Sequence, residues 1–241
     1  MRLITFQQPY QTSTVPEAKL GEEAVTPDGR AWKYVYNFHS STAAGAIVVP
    51  DASTITQGTL AAGTLSLTAN ASGQYVYLTY STGGLTAGIL EDQWLFFYIG
   101  TGEGGLFKVK TNSATVIELY PEYTQGILTA TTSVDATTGA KFWCPHIVTP
   151  SAVTTQTQVC TGIAQIAFAA ATYGWVLIRG YGTVLGSSLV AGHGFGPGGA
   201  TAGYGLIATT AKGPYDQMFL GTIVVAANDA SNQNLVLVNC G

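Results

Sequence analysis

The sequence is short of charge. Asp, Glu, Lys and Arg make up 9% of its 241 residues, against roughly 25% in ordinary soluble domains. Mean hydropathy is correspondingly positive, at +0.26. Three arrangements explain so little charge: a membrane protein, an unusually large core, or a subunit whose surface is covered by partners. Long apolar runs are lacking too. No stretch reaches the roughly 18 residues of a membrane-crossing helix, and Gln, Thr and Ser interrupt even the uncharged segment 142–178. A transmembrane helix is therefore excluded. Covered surface is favoured, because obligate interfaces are more apolar and poorer in charge than free surface.

Clustered positive charge is also missing. The net charge is −4, and Lys108 with Lys110 comes nearest to a basic patch. Nucleic-acid binding requires phosphate neutralisation, so no nucleic-acid partner is expected. Cysteine is scarce. Cys144, Cys160 and Cys240 are odd in number and unrelated in spacing, which is no disulfide framework; the expectation is buried, reduced thiols. The first ten residues carry no apolar core of a signal peptide, so the chain is expected to be made and used in a cytoplasm, without a membrane partner.

Glycine, threonine and aromatics are what the chain has in quantity. Thirty glycines and 26 Trp, Tyr and Phe residues suit short strands separated by turns. Pro27-Asp28-Gly29 is a turn, with Pro presetting φ and Gly accepting a positive one. Behind it, Trp32, Tyr34, Tyr36 and Phe38 recur at period 2, predicting a half-buried strand. Further strands are expected at 46–49, 64–68, 75–80, 115–120, 175–180, 222–226 and 235–238. The continuous apolar run 94–99 suits a strand buried on both faces. In the next strand Phe107 and Val109 should point in, with Lys108 and Lys110 out. Segment 162–168 fits a strand, although 167–171 is helical by propensity. No solenoid period is present.

The fold class expected is all-β, a sandwich or barrel-type body. Residues 1–25 read as an extended N-terminal arm, broken by Pro9 and Pro16. Residues 26–150 form an aromatic-rich β domain, and 151–241 a second β-rich domain or the second half of one body. The arm could cross a neighbouring subunit by strand addition or fray as a terminus.

Catalytic patterns are weak. Segment 192–199 is rich in glycine, but a phosphate cradle needs a strand before it and a helix after it; Pro197 and further glycines follow instead. His39, His146 and His193 share no ligand spacing, and Cys144-Pro145-His146 offers two ligands where zinc needs three or four. Gly186-Ser187-Ser188 is not a nucleophile elbow. The carboxylate pairs Glu22/Glu23, Glu91/Asp92 and Glu118/Glu122 read as solvated strand ends, since neighbours on a strand face opposite ways. No catalytic residue, cofactor or metal is assigned, and the protein is not expected to be an enzyme.

Three islands resemble a group of tailed-phage virion proteins of the capsid decoration or cement type. Lys19-Leu20-Gly21-Glu22-Glu23 through Asp28-Gly29-Arg30-Ala31-Trp32-Lys33-Tyr34-Val35 is similar to that group's opening. Gly100-Thr101-Gly102-Glu103-Gly104-Gly105-Leu106-Phe107-Lys108-Val109-Lys110-Thr111-Asn112 resembles its hairpin. Tyr173-Gly174-Trp175-Val176-Leu177-Ile178-Arg179-Gly180 resembles its later strand, with Leu177 and Ile178 where a polar residue is usual. The resemblance implies a homotrimer bound to the major capsid protein at capsomer junctions, located in the virion. Expected assembly contacts are Leu3, Ile4, Phe6 and Tyr10 of the arm, and His193, Phe195 and Tyr204 in the Gly-rich loop 192–205. Rival readings are another virion part (tail tube, connector or fibre base), a carbohydrate-binding module, and an outer-membrane β-barrel.

Overall fold

The computed structural model describes residues 1–38, 40–50, 59–60, 65–69, 75–80, 85, 87–99, 105–120, 139–143, 146–151, 159–186, 189–197, 201–207, 220–227 and 233–240. The chain is all-β. It divides into two units, one built from Met1–Asp51 with Pro145–Gly241 and the other from Ala52–Cys144. The second unit is thus an insertion into the first. The chain leaves the first unit after Asp51 and re-enters it at Pro145.

The first unit opens with β1 (Arg2–Leu3), β2 (Thr12–Ser13), β3 (Glu23–Val25), β4 (Ala31–Asn37) and β5 (Ile47–Pro50). The inserted unit holds β6 (Thr59–Leu60), β7 (Leu65–Ala69), β8 (Tyr75–Tyr80), β9 (Trp94–Ile99), β10 (Leu106–Asn112), β11 (Val116–Leu119) and β12 (Gly139–Trp143). The first unit resumes with β13 (Ile147–Pro150), β14 (Gly162–Ala164), β15 (Thr172–Leu185), β16 (Gly194–Pro197), β17 (Gly205–Ile207), β18 (Gly221–Val225) and β19 (Gln233–Asn239).

Five strands of the first unit close on themselves. β4 pairs β13 in parallel, β13 pairs β5, β5 pairs β14, β14 pairs β15, and β15 returns to β4. Each strand of this ring gives one residue to a single buried cluster: Val35, Val148, Val48, Ala164 and Val176, joined by Phe168. One small apolar side chain per strand and one aromatic plug is the filling a narrow closed barrel can hold. Phe168 is set in place by its backbone bridge to Thr42. Segment 162–168 is therefore a short strand followed by a bridge, without helix.

The other faces of the ring strands carry Trp32, Tyr34, Ile47, Ile163, Trp175 and Leu177 into a second, larger cluster with Phe195, Ile223, Val236 and Val238. β4 is consequently buried on both sides, not half-buried as the aromatic period suggested. Its rings interlock: Tyr34 meets Trp175 edge-on at 4.9 Å, and Tyr36 lies 4.6 Å from Tyr173. Such pairs stabilise beyond their area burial.

β15 joins the ring to an outer sheet. Its first half pairs β4, its register shifts between Leu177 and Arg179, and residues 179–185 pair β19. Gly180, just past the shift, has φ +108°. A Cβ there would lie 2.8 Å from Arg30 Cγ, so both backbone and space require glycine. Where β14 ends, the Gln165 amide takes over the exposed edge. It accepts from Thr183 N and donates to Thr183 O, at 2.9 and 3.0 Å. The sheet continues β15-β19-β18-β16-β17.

The inserted unit is a sheet in the order β6-β12-β9-β10-β11-β8-β7. Leu78, Leu95, Phe97, Phe107, Val109, Ile117 and Leu119 are buried in it. Phe107 and Val109 point in while Lys110 is exposed, as the alternation predicts. β9 differs from the expectation of burial on both faces. Leu95 and Phe97 are fully buried, but Phe96 between them is exposed. The apolar run conceals an ordinary one-sided strand. Residues 100–104 and 121–138, which include Glu122, and Cys144, His39 and the serines 187–188 lie outside the described residues.

Candidate interaction surface

The outer face of β15, β19 and β18 is built by alternation. Val236 and Val238 point into the core, and Leu235 and Leu237 point away from it. Cross-strand partners share a face, so the register sets the outward rows. Tyr181, Leu237 and Thr222 form one row; Thr183, Leu235 and Val225 form the next. Tyr181 is 59% exposed, Val225 55%, Leu237 42% and Leu235 39%. Arg179 and Asn239 flank the first row. Beside the second row, Val190, Val224 and Val225 line a shallow apolar cleft of about 450 Å³. The register thus gathers Tyr181, Val225, Leu235 and Leu237 on one exposed sheet face.

The face is held from beneath by a buried amide. Asn234 is fully buried. Its side chain donates to Val184 O and Gly186 O and accepts from Ala227 N, the shortest two of these at 2.9 Å. These bonds join the ends of β15, β19 and β18 and fix the rows in register.

The N-terminal segment folds back on its own unit. β1 runs parallel to β3, and Ile4 N donates to Val25 O. A single 3₁₀ turn at Gln8–Tyr10 follows, and β2 pairs β15. Tyr10 packs edge-on against Trp32 and accepts from Arg30 Nη1 at 2.8 Å. Thr26 Oγ1 donates to Asp28 Oδ1 at 2.6 Å. That bond, helped by Arg30, holds the Asp28 carboxyl below its usual pKa. The 27–29 turn is thereby stapled to the arm.

The expected contact residues separate into two groups. Leu3, Phe6 and Tyr10 remain exposed, His193 is exposed and Tyr204 is half-buried. Ile4 and Phe195 are corrected: both are core side chains of the same chain and present no surface to a partner. The 192–205 segment is also not simply a loop, since its glycines alternate within β16, which pairs β17 and β18. Phe195 is the inward residue of that strand.

Apart from Cys160 and Cys240, whose sulfurs lie 3.9 Å from each other, the reactive groups among the described residues are dispersed. Glu22 pairs Arg2 and Glu23 pairs Lys33 at the surface. Lys110 bonds Glu118 at 2.7 Å, which raises the lysine pKa. Among the described residues, no group of three His, Cys, Asp or Glu is placed to hold a metal. No helix among them is long and apolar enough to cross a membrane.

Tyr181, Leu235, Leu237 and Val225 were not among the residues the sequence singled out. Leu235-Val236-Leu237-Val238 is apolar throughout, so no polar alternation betrays its exposed side. The usable signal was uninterrupted apolar strands in a chain with too little charge to cover them. Searches of protein-family models, curated proteins and solved structures find no match to this chain.

Proposed function

We propose that the chain is a virion structural protein of a tailed phage, a head decoration or cement protein that binds the capsid surface as a homotrimer and stabilises capsomer junctions without catalysis. The observation that carries this reading is the apolar outer face of β15, β19 and β18. Four large apolar side chains stand there on a rigid sheet, in a chain with 9% charge. The sequence islands that resemble decoration-type proteins support it, and two of them fall on β4 and β15, the strands that close the barrel. Symmetric repetition multiplies a modest contact into firm attachment. The exposed N-terminal residues Leu3 and Phe6 extend the same logic to a second contact.

Leu235→Asp with Leu237→Asp tests it. Neither side chain reaches the core, so circular dichroism should be unchanged. Self-association by light scattering and binding to purified capsid shells should each weaken about a hundredfold or more, since central apolar anchors dominate such interfaces. An unaltered trimer that still decorates shells would remove this face from the function. Labelled protein found on tails would instead select a tail-tube, connector or fibre-base role.

A further inference from the structure

Cys160 and Cys240 are 80 positions apart in the chain, yet their sulfurs lie 3.9 Å from each other. Neither is in a disulfide. They are unlike in setting. Cys160 is 8% exposed, belongs to the core cluster, and directs its sulfur at Gly162 O. Cys240 is half-buried and lines a cleft of about 190 Å³ beside Lys33, Arg179 and Glu23. Cys240 follows β19 directly, and Cys160 precedes β14. The pair therefore spans the gap between the ring and the last strand, which is otherwise held there by backbone bonds such as Cys240 N to Ile178 O.

We propose that Cys160 and Cys240 form a redox-controlled clamp, a dithiol that closes to a disulfide and ties the C-terminal strand to the barrel. Closing requires the sulfurs to approach by roughly 2 Å, which side-chain rotation and small backbone shifts supply. The oxidant is a low-molecular-weight disulfide. The Cys240 thiolate, reachable through the cleft, attacks one sulfur of oxidised glutathione and expels one glutathione thiolate. Cys160 then attacks the Cys240 sulfur and expels the second. Two protein thiols and one glutathione disulfide become one protein disulfide and two glutathione thiols. Burial, with the neighbouring Cys240 sulfur, pushes the Cys160 thiol well above its ordinary pKa. The second step should quicken as pH rises, because only the thiolate attacks. The chemistry is independent of the assembly role.

Oxidised glutathione added to the reduced full chain, followed by alkylation, intact mass and peptide mapping, tests the clamp. The wild type should lose two hydrogens and yield one crosslinked pair carrying Cys160 and Cys240. Cys160→Ser should stop at a glutathione adduct on Cys240. Cys240→Ser should leave Cys160 unmodified while the protein is folded. The oxidised wild type should melt about 10 °C higher, since the bridge closes a long loop. A lasting glutathione adduct on wild-type Cys240, a bridge that recruits Cys144, or oxidation without a gain in melting temperature would each overturn the clamp.

Discussion

Gly174 shows how a single residue carries the barrel. It sits on β15 opposite Val35, and a Cβ at this position would stand 2.6 Å from the Phe168 ring. Its φ is not among the positive ones, so the requirement is space and not backbone freedom. Phe168 can plug the ring because the neighbouring strand has no side chain there. Gly174→Ala should destabilise the first unit by about 1–3 kcal/mol, the usual cost of overpacking. Phe168→Leu in the same chain should recover part of that loss, as urea titration of both variants and the pair would measure. Strict additivity would mean that the two residues do not compete for one space. The glycine of the Tyr173-Gly174-Trp175 motif thus has a steric reason that the motif alone did not state.

Among the elements, the N-terminal segment and the strand β9 are the instructive ones. The segment read as an arm because Pro9 and Pro16 break helix and few apolar residues anchor it. In the structure Ile4 enters the core, as does Ala24 further along, while Phe6 two residues after Ile4 is exposed. Ile4 and Phe6 should therefore separate stability from assembly. Ile4→Ala should cost about 2–4 kcal/mol in chemical unfolding. Phe6→Ser should leave the unfolding midpoint within about 0.5 kcal/mol and lower only shell binding. A large loss of stability from Phe6→Ser would mean that its ring supports the fold. β9 makes the complementary point. Its apolar run concealed an outward Phe96, because hydrophobicity counts side chains but not the layers laid over them.

At the scale of the whole molecule, each unit buries apolar side chains of its own, and the inserted unit begins and ends between β5 and β13. Two cores of this kind should not melt as one two-state transition. Phe107→Ala should shift one thermal transition and Phe168→Ala the other, each read by calorimetry. A single transition moved equally by both substitutions would show that the units fold as one.

The sequence by itself determined the all-β class, the turn at 27–29 and most strand positions. Those follow from local physics: φ preferences of Pro and Gly, and period-2 alternation. It also determined that some surface must be apolar, since there is too little charge to cover it. The tertiary structure alone decided that five strands close into a ring, because β4 and β15 are brought together across about 140 residues of sequence that no local rule counts. It decided that Ile4 and Phe195 are core and that Leu235 and Leu237 are surface, since an apolar strand acquires an inside only when another layer packs on it. It likewise put Cys160 beside Cys240, a proximity set by the register of β19 on β15 and invisible in their spacing.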